Sequence, residues 1–423
     1  MAWRGVWSTQ PLKTDQTIDG SLLLDLPVPF RLHKGGLHVE AQAQQGIARW
    51  LENFTTVSVC APVVPEEHVL PSMNWVPVTS LMETGRLAIH PLPWGYHPRL
   101  HLQEVRKVRA LFRELIPKHQ YLHFSNLGWF GAWGRIGAKE ARRVNRPYAV
   151  WLDWVIHEMP IECEGTLLRR TWHHLERELA KWGTLHDIKR AGLGLFHGLT
   201  VYQSYAPYSS LPKVVHDIHL DEDDILADEA LETRLNSDTD RVSILYVGRV
   251  HETKGPRQWL DTIEKVIRAA SPGQPRVEAK WYGDGPMIEE LRESVDKRGL
   301  SSWISFPGKV TARNEVLDIF RAADLFVFCH LAPESPRCLI EALMCGLPIL
   351  GFESAYANAL TSAYGGGATV PIGNASALAE LVKKYVSDKD ARNKLSRAAL
   401  HSGRQFSERS VFRHRSELIK QYL

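Results

Sequence analysis

The sequence predicts an α/β protein that contains two doubly wound, Rossmann-like domains. A chain of 423 residues is too long for one compact core, so two domains are expected. Short apolar runs alternate with amphipathic stretches of helical period, a pattern typical of parallel sheets covered by helices. An unbroken apolar strand at residues 242–247 follows an acidic segment, so we expect the second domain to begin near residue 241.

The first half, residues 1–220, is expected to form the N-terminal domain. Apolar runs bounded by turn residues predict its strands, and amphipathic runs predict its helices. The glycines after Lys34 are expected to open the first helix. The predicted strands are 22–30, 57–61, 121–124, 148–152, 199–202 and 213–215, and the predicted helices are 34–51, 102–115 and 172–190.

An acidic linker, residues 221–240, is expected to precede a C-terminal domain at 241–400 and a final helix within 401–423. The linker contains many Asp and Glu residues and few large apolar ones. The predicted strands of the C-terminal domain are 242–247, 277–282, 303–306, 325–329 and 348–352, and its helices are 258–270, 287–298, 316–322, 336–345 and 375–386. This strict alternation predicts ligand binding at the carboxyl ends of the strands.

The composition, with 44% hydrophobic and 23% charged residues, is that of a globular protein. The formal net charge of +3 is too small to indicate nucleic-acid binding by itself. Cys60, Cys163, Cys329, Cys338 and Cys345 show no paired spacing, which argues against a disulfide framework or a zinc site. We see neither a signal segment nor a membrane-spanning run and expect the protein in the cytoplasm.

The most informative stretch is PESPRCLIEALMCGLP at residues 333–348. Ser335 is a good N-cap and Pro336 a good first residue for a helix that Gly346 would end. A helix N-terminus at a sheet edge binds anions, because free backbone N–H groups and the helix dipole point at the ligand. Glu334 and Glu341 bracket this turn, and their carboxylates can bind the hydroxyl groups of sugar and ribose.

Three more motifs follow predicted strands of the same domain. Arg249 and Lys254 come after strand 242–247, where a guanidinium and an ammonium can bind a diphosphate and stabilise its developing charge. Glycines in the next two motifs allow tight turns and close backbone approach to a ligand. These motifs are Gly283-Asp284-Gly285-Pro286, after strand 277–282, and Pro307-Gly308-Lys309-Val310, after strand 303–306.

Together these residues resemble glycosyltransferase family 4, whose members are retaining enzymes of the GT-B fold, with two Rossmann-like domains that face each other across a cleft. Seven residues usually separate the two acids in that family, whereas six separate Glu334 from Glu341 here. A one-residue deletion just after Ser335 is the simplest explanation. The resemblance also implies that the final helix crosses back to the N-terminal domain.

The resemblance assigns site residues one by one. It implies that Arg249, Lys254 and Glu334 are catalytic, the two cations on the donor diphosphate and the acid on the donor sugar. It places Glu341 on the nucleoside ribose. The other donor-binding positions that it implies are Gly248, Gly283, Gly285, Gly308, Lys309, Val310, Pro336, Arg337, Cys338 and Leu339, with the backbone of Lys309 and Val310 on the nucleobase.

On the acceptor side the resemblance implies Gly35 and Gly36, in a glycine-rich loop between the first strand and the first helix. Asp153 follows strand 148–152, where many family members have a His that touches the transferred sugar. Asp153 can accept a bond from a sugar hydroxyl, or it can cap a helix. The two glycines can equally form an ordinary tight turn.

The other motifs also have purely structural interpretations. Arg337 and Glu341 can form an i,i+4 surface ion pair. Arg249 and Lys254 can be solvated residues of a strand-to-helix loop, and the glycine motifs can be plain turns. The Asp-x-Asp stretches at 221–224 and 238–240 are interpreted as solvated segments of the linker, not as metal ligands.

Aromatic and basic residues stand side by side from Trp129 to Arg146. Such a surface suits anionic lipid head groups or a lipid-linked acceptor, which would place the protein peripherally on the inner face of the membrane. A buried aromatic cluster with a solvated basic face explains the same residues.

The sequence therefore predicts an enzyme that transfers a hexose-type sugar from a nucleoside diphosphate sugar to a hydroxyl of a carbohydrate or lipid-linked acceptor. The resemblance implies retention of configuration and no metal or other cofactor. One alternative is a nucleotide-sugar 2-epimerase of the same fold. The other is a degenerate domain that binds nucleotide sugars without turnover. The donor base, the sugar, the acceptor and the oligomeric state are not readable from the sequence.

Overall fold

A computed structural model describes residues 18–69, 73–125, 130–155, 167–237, 239–332 and 334–423. Its contacts divide the chain into two compact units. The first unit contains the residues up to His219 together with Arg409–Leu423, and the second contains Leu220–Glu408. In the described part of the chain, no helix is both long and apolar enough to cross a membrane.

The first unit is built on a parallel sheet of seven described strands in the order β10-β9-β8-β7-β1-β4-β6. The strands of the unit are β1 (Ile18–Asp25), β2 (Phe30–His33), β3 (Gly36–Glu40), β4 (Thr56–Pro62), β5 (Trp75–Pro77), β6 (Leu87–Leu92), β7 (His119–Ser125), β8 (Ala149–Leu152), β9 (Leu193–His197) and β10 (Pro212–Val215). In register, Leu22 of β1 lies opposite Val57 of β4 and Tyr121 of β7. The connections reverse direction between β1 and β7, as at the switch point of a Rossmann fold.

Helices cover this sheet, and their apolar faces form a core with buried leucine, phenylalanine and tryptophan side chains. They are α1 (Ala41–Asn53), α2 (Thr79–Met82), α3 (Pro98–Leu115), α4 (Gly134–Arg143), α5 (Leu167–Ile188) and α6 (Gly198–Tyr205). The predicted strand at 199–202 is wrong, because these residues lie in α6 and the strand is the preceding β9. Buried Thr200 and Val201 gave the segment its apparent strand propensity.

A three-stranded antiparallel sheet, β2-β3-β5, replaces the expected start of the first helix. Lys34 and Gly35 form a two-residue hairpin turn with φ of 47° and 77°, and Gly36 pairs with His33 as the first residue of β3. The prediction of a glycine-rich loop that leads into a helix is therefore wrong for Gly35 and Gly36. Helix α1 begins at Ala41, where the Glu40 side chain accepts hydrogen bonds from the first turn.

The second unit is a parallel sheet of six described strands in the order β13-β12-β11-β14-β15-β16. They are β11 (Arg241–Val247), β12 (Arg276–Tyr282), β13 (Ile304–Gly308), β14 (Leu325–Phe328), β15 (Ile349–Phe352) and β16 (Gly367–Val370). The first five agree with the predicted strands to within a few residues. The order is that of a Rossmann fold, with its switch point between β11 and β14.

The helices of this unit are α7 (Asp228–Leu235), α8 (Pro256–Arg268), α9 (Ile288–Lys297), α10 (Arg313–Arg321), α11 (Arg337–Met344), α12 (Ala355–Tyr364), α13 (Ala375–Ser387) and α14 (Lys389–Gly403). The sequence analysis did not predict β16, α12 or α14. The helices that it predicted in this unit are present, with ends displaced by a few residues.

The segment expected to be a linker, residues 221–240, is instead folded onto the second unit. Leu226, Leu231 and Leu235 pack with Leu400 of α14, although acidic residues surround them in the sequence. Arg234 of α7 donates hydrogen bonds to the backbone carbonyls of Arg321 (2.9 Å), Cys345 (3.2 Å) and Gly346 (2.6 Å). The second unit therefore starts at Leu220 rather than at residue 241 and ends at Glu408 rather than at residue 400.

The last helix, α15 (Glu408–Tyr422), packs on the first unit. Phe412 lies edge-on to Trp50 of α1, with ring centroids 5.2 Å apart. Arg415 is buried, and its guanidinium lies 4.9 Å from the ring centroid of Trp50 and 5.2 Å from that of Trp151. Its Nη1 is 3.6 Å from Oδ1 of Asp217. A buried cation of α15 thus lies between aromatic rings and one acid of the first unit.

We expect Arg415→Ala to lower the free energy of unfolding of the first unit by about 3 kcal/mol, since truncation of one member of a buried ion pair leaves the other uncompensated. Arg413→Ala, at an exposed position of the same helix, is the matched control. Scanning calorimetry should show a lower transition temperature for Arg415→Ala alone. Equal transition temperatures in the two variants would contradict this role of Arg415.

Candidate functional site

Lys254 and Glu334 meet at the switch point of the second sheet. Lys254 follows β11 and Glu334 follows β14, the neighbouring strands whose connections run in opposite directions. Lys254 Nζ lies 2.5 Å from Glu334 Oε1, and the two side chains are 18% and 22% exposed. The structure therefore joins two of the three predicted catalytic residues, although 80 positions separate them in the sequence.

Backbone contacts fix the loop that carries Lys254. Gly255 adopts a left-handed conformation with φ of 63°, and a Cβ at this position would lie 2.1 Å from the Cys329 carbonyl oxygen after β14. Only glycine fits this approach. The Leu331 N–H donates a 2.8 Å hydrogen bond to the Thr253 carbonyl oxygen. The loops after β11 and β14 are thus held against each other, which positions the Lys254–Glu334 pair.

Tyr246 and His330 lie behind the pair, and the sequence analysis did not single out either. The Tyr246 hydroxyl is 2.7 Å from His330 Nε2, and both side chains are buried. Burial lowers the pKa of His330 well below its usual value, and the charge of Lys254 lowers it further. His330 is therefore neutral and can orient Tyr246 without competing with Lys254 for an anion. The only sequence signal for this pair was the position of His330, a polar residue directly after a predicted buried strand.

The glycines predicted to bind the donor stand together at this edge of the sheet. The Gly248 N–H donates to the Tyr282 carbonyl, and the Gly283 N–H donates to the Gly308 carbonyl, both at 2.9 Å. Gly283 has φ of 152°, and a Cβ there would lie 1.9 Å from the Gly248 carbonyl oxygen. A Cβ at Gly285 would lie 2.3 Å from the Val250 carbonyl oxygen. No side chain fits between these loops.

Three predicted donor-binding residues flank the glycine loops. Arg249 follows Gly248 and is exposed, and Lys309 and Val310 continue from Gly308 at the end of β13. Lys309 is also exposed, whereas Val310 is half-buried. The guanidinium of Arg249 therefore has access to a ligand at the carboxyl edge of the sheet.

Helix α11 begins one residue later than predicted. Pro336, not Ser335, is the N-cap, and no side chain caps the first turn. Ser335 is instead buried. The helix starts at Arg337, so Cys338 and Leu339 lie in its first turn and Glu341 in its second. Burial raises the pKa of the Cys338 thiol to about 12, which keeps this thiol protonated and a poor nucleophile.

In the first unit, Asp153 lies directly after β8 and close to the cation of α15. Burial lowers the pKa of Arg415, and the charges of Asp217 and Asp153 oppose that shift. Asp153 thus contributes to the environment of a structural arginine. The structure places Gly35 and Gly36 in the β2–β3 hairpin, and the predicted contacts of these three residues with an acceptor stay predictions.

The stretch from Trp129 to Arg146 is largely used inside the first unit. Trp129 itself lies outside the described residues, and Trp133 is buried. Arg135 Nε is 3.1 Å from Asp187 Oδ2, and Arg142 Nη1 is 2.9 Å from Asp187 Oδ1. Arg146 donates to backbone carbonyls that include that of His119, at 2.7 Å. The structural interpretation accounts for these residues, and membrane contact stays a prediction.

A second crevice, which the sequence analysis missed, lies at the switch point of the first sheet. Asp25 ends β1 and Ser125 ends β7, and both side chains are buried. A cavity of about 400 Å³ opens beside them. Burial raises the pKa of Asp25 to about 8, against the opposing effect of a hydrogen bond from the Ser125 backbone. A single acid at a strand end carries no recognisable motif, so only the sheet order reveals its position.

The described residues contain no group of three or more His, Cys, Asp or Glu side chains that could hold a metal ion. Among the acidic residues expected to be solvated, Glu222, Asp223 and Asp240 are exposed, whereas Asp221 and Asp224 have structural roles. The Asp221 side chain caps a short turn, and Asp224 forms an ion pair with Arg313. Asp238 lies outside the described residues.

Residues 228–402 match the family model of glycosyl transferases group 1. This part of the chain is similar to that family. It holds the Lys254–Glu334 pair, the glycine loops and α11. A curated relative, the 2-deoxystreptamine N-acetyl-D-glucosaminyltransferase of Streptomyces fradiae, is 29% identical over 156 residues. The match covers 37% of this chain. It spans 36% of the relative, so only about a third of the relative's length is matched.

Solved structures match nearly the whole chain at low sequence identity. HepE of Anabaena in complex with UDP aligns with a TM-score of 0.66 and 16% identity, over 95% of this chain and 100% of that one. Sucrose-phosphate synthase of Thermosynechococcus elongatus aligns with a TM-score of 0.67 and 14% identity, over 95% and 98% of the two chains. The fold of the chain is therefore GT-B, as predicted.

The close approach of Gly283 to the Gly248 carbonyl oxygen leads to a prediction about the stability of the second unit. Gly283→Ala should lower the free energy of unfolding of the second unit by about 2 kcal/mol, because an added methyl would overlap the Gly248 carbonyl. Gly273→Ala is the control, since Gly273 also has a positive φ, 85°, but nothing lies within 4 Å of its added Cβ. Chemical denaturation should separate the two, and equal losses would show that conformational strain, not crowding, dominates.

Proposed function

We propose that the protein is a glycosyltransferase that moves a hexose-type sugar from a nucleoside diphosphate sugar to a hydroxyl acceptor, with retention of configuration. The single observation that supports this most strongly is the Lys254–Glu334 pair at the switch point of the region that matches glycosyl transferases group 1. The pair stands where a Rossmann sheet binds ligands, beside closely packed glycine loops at the same edge of the sheet.

The chemistry of the site fits departure of a nucleoside diphosphate. Negative charge grows on the leaving phosphate as the glycosidic bond breaks, and preorganised cations stabilise that charge. Lys254 is already fixed by Glu334 and by the loop contacts, so little reorganisation accompanies the reaction. Arg249 is exposed and adds a bidentate donor. Backbone N–H groups at the start of α11 supply further donors for the diphosphate.

The remaining donor contacts follow the same geometry. We propose that Glu334 binds a hydroxyl of the transferred sugar while it stays paired with Lys254. Glu341, on the second turn of α11, would bind the ribose hydroxyls. The backbone of Lys309 and Val310 would bind the nucleobase edge. Because Glu334 would bind the sugar and Lys254 the leaving diphosphate, their ion pair would link recognition of these two parts of the donor.

UDP-sugars are the first donors to test. HepE of Anabaena has been solved with UDP and with UDP-glucose, and the Streptomyces relative is named as an N-acetylglucosaminyltransferase. The full chain should be incubated with UDP-glucose, UDP-N-acetylglucosamine and the GDP- and ADP-glucose counterparts, with and without acceptor sugars, and nucleoside diphosphate release followed. Acceptor-dependent release supports transfer. Isomerised donor sugar would indicate an epimerase, and nucleotide binding without turnover a degenerate domain.

Loss of either diphosphate-binding cation should slow turnover strongly. We expect Arg249→Ala and Lys254→Ala each to lose about 2–4 kcal/mol of transition-state stabilisation, the range for one preorganised donor. Arg257→Ala is the control, because Arg257 also pairs with an acid, Glu290 at 2.6 Å, but on an exposed surface of the same unit. Wild-type kcat/KM in both Arg249→Ala and Lys254→Ala would refute the assignment.

Turnover should not need a divalent ion. The motivation is that Arg249 and Lys254 supply positive charge at the diphosphate site, while Asp221 and Asp224 serve a cap and an ion pair. We expect the rate in excess EDTA to equal the untreated rate. A loss of activity that magnesium or manganese reverses would show that the donor is bound through a metal.

A further inference from the structure

The cavity in the first unit lies wholly within that unit, at the carboxyl ends of β1 and β7. Its volume of about 400 Å³ is within the range of small-molecule sites, roughly 300–1,000 Å³. The described residues that matter to its chemistry are two acids and four aromatic rings: Asp25, Glu176, Tyr96, Phe130, Trp133 and Trp154.

Asp25 is held in place from several sides. Its side chain is only 5% exposed, and its Oδ2 lies 2.5 Å from where a Cβ of Gly134, the first residue of α4, would stand. The Ser125 hydroxyl donates a 3.0 Å hydrogen bond to the Asp25 backbone carbonyl. A buried carboxyl of this kind is costly in its charged form, and a cation beside it would remove much of that cost.

The charge of the cavity favours a cationic ligand. Among its described lining residues are two carboxyl groups and no Lys, Arg or His. Glu176 Oε2 is 3.6 Å from Nδ1 of His173 on the same helix, and the Glu176 side chain is 36% exposed. A phosphate or carboxylate would find no positively charged side chain among these described lining residues. An ammonium group would gain from both acids.

The aromatic residues provide ring faces for the same ligand. Tyr96 is 46% exposed and Trp154 is 40% exposed, so both present surface to a bound molecule. Trp133 is fixed in the wall, because its Nε1 donates a 2.8 Å hydrogen bond to the Pro93 carbonyl and His101 stacks on its ring at 4.4 Å. Ring faces attract cations and pack well against flat cyclic molecules.

We propose that this cavity is the acceptor site and that it selects a cyclic polyol that carries an ammonium group, with Asp25 as its principal anionic contact and Glu176 as a second. This inference rests on the proposed function, since it names the acceptor of that reaction. Measurements of ligand binding test the proposed acceptor cavity, whereas measurements of turnover test the proposed transfer reaction.

Three sugars with the same ring and different charge make a matched set of probes: glucosamine, glucose and glucose 6-phosphate. Titration calorimetry or ligand-observed NMR at neutral pH should rank them in that order. We expect glucosamine to bind at least about tenfold more tightly than glucose, the effect of one charge-assisted hydrogen bond. Equal affinity for glucose and glucosamine, or preference for the phosphate, would overturn the proposal.

Asp25→Asn keeps the shape of the side chain but cannot become negatively charged beside a bound cation. It should weaken glucosamine binding about tenfold and leave glucose binding within about twofold. Glu83→Gln, at an exposed position of the same unit, is the control for loss of one negative charge and should change neither. If Asp25→Asn fails to fold, Glu176→Gln replaces it, since that side chain is partly exposed, and a selective loss for glucosamine is again expected. If the folded variant still prefers glucosamine over glucose as strongly as the wild type does, the acids do not contact the ligand.

Nucleoside diphosphate release separates the two proposals. Selective glucosamine binding without release from any donor would refute the transferase and leave the cationic site standing. Release that glucose and glucosamine stimulate equally would support the transferase and refute the ammonium preference. Stimulation by glucosamine alone, lost in Asp25→Asn, would support both.

Discussion

The parallel arrangement of both sheets is the constraint on which the rest of this structure depends. Parallel strands place all their carboxyl ends at one edge, and the reversal of strand order opens a crevice there. Residues that are far apart in the sequence can therefore meet without any long-range motif. Lys254 and Glu334 meet after β11 and β14, and Asp25 and Ser125 meet after β1 and β7. Each unit thus has one place where a small molecule is expected.

The two crevices are opposite in chemical character, although they occupy equivalent positions in the two sheets. The second-unit site has an exposed arginine, a lysine fixed by one acid, and closely packed glycine loops. The first-unit crevice has two acids and aromatic walls. The proposed anionic donor suits the former, and the proposed ammonium-bearing acceptor suits the latter. This division of charge would keep each substrate out of the other's site.

The local sequence pattern predicted most strands of the second unit and also β4, β7, β8 and β10 of the first, but it missed other elements of both units. The strands of the second unit are apolar runs between clear turn signals, so their positions could be predicted. In the first unit, Lys34 and Gly35 resembled a loop before a helix, whereas their positive φ angles make a hairpin turn. The leucines at 226, 231 and 235 were hidden among acidic residues, and their packing on Leu400 depends on contacts that no local window contains. The position of Asp25 at the switch point could be recognised only from the order of the strands in the sheet.

The shortened spacing between Glu334 and Glu341 can be accommodated in the loop that precedes α11. The proposed ribose contact requires Glu341 to keep its place on α11, because a shift of one residue would turn its side chain by about 100° around the helix. Glu334 precedes the helix, in a loop, and its position is fixed by Lys254 rather than by counting from the helix. A deletion after Ser335 therefore changes the length of the turn and keeps both contacts possible. The structure thus pairs Glu334 with Lys254 across two loops, although the spacing between the two acids is shortened.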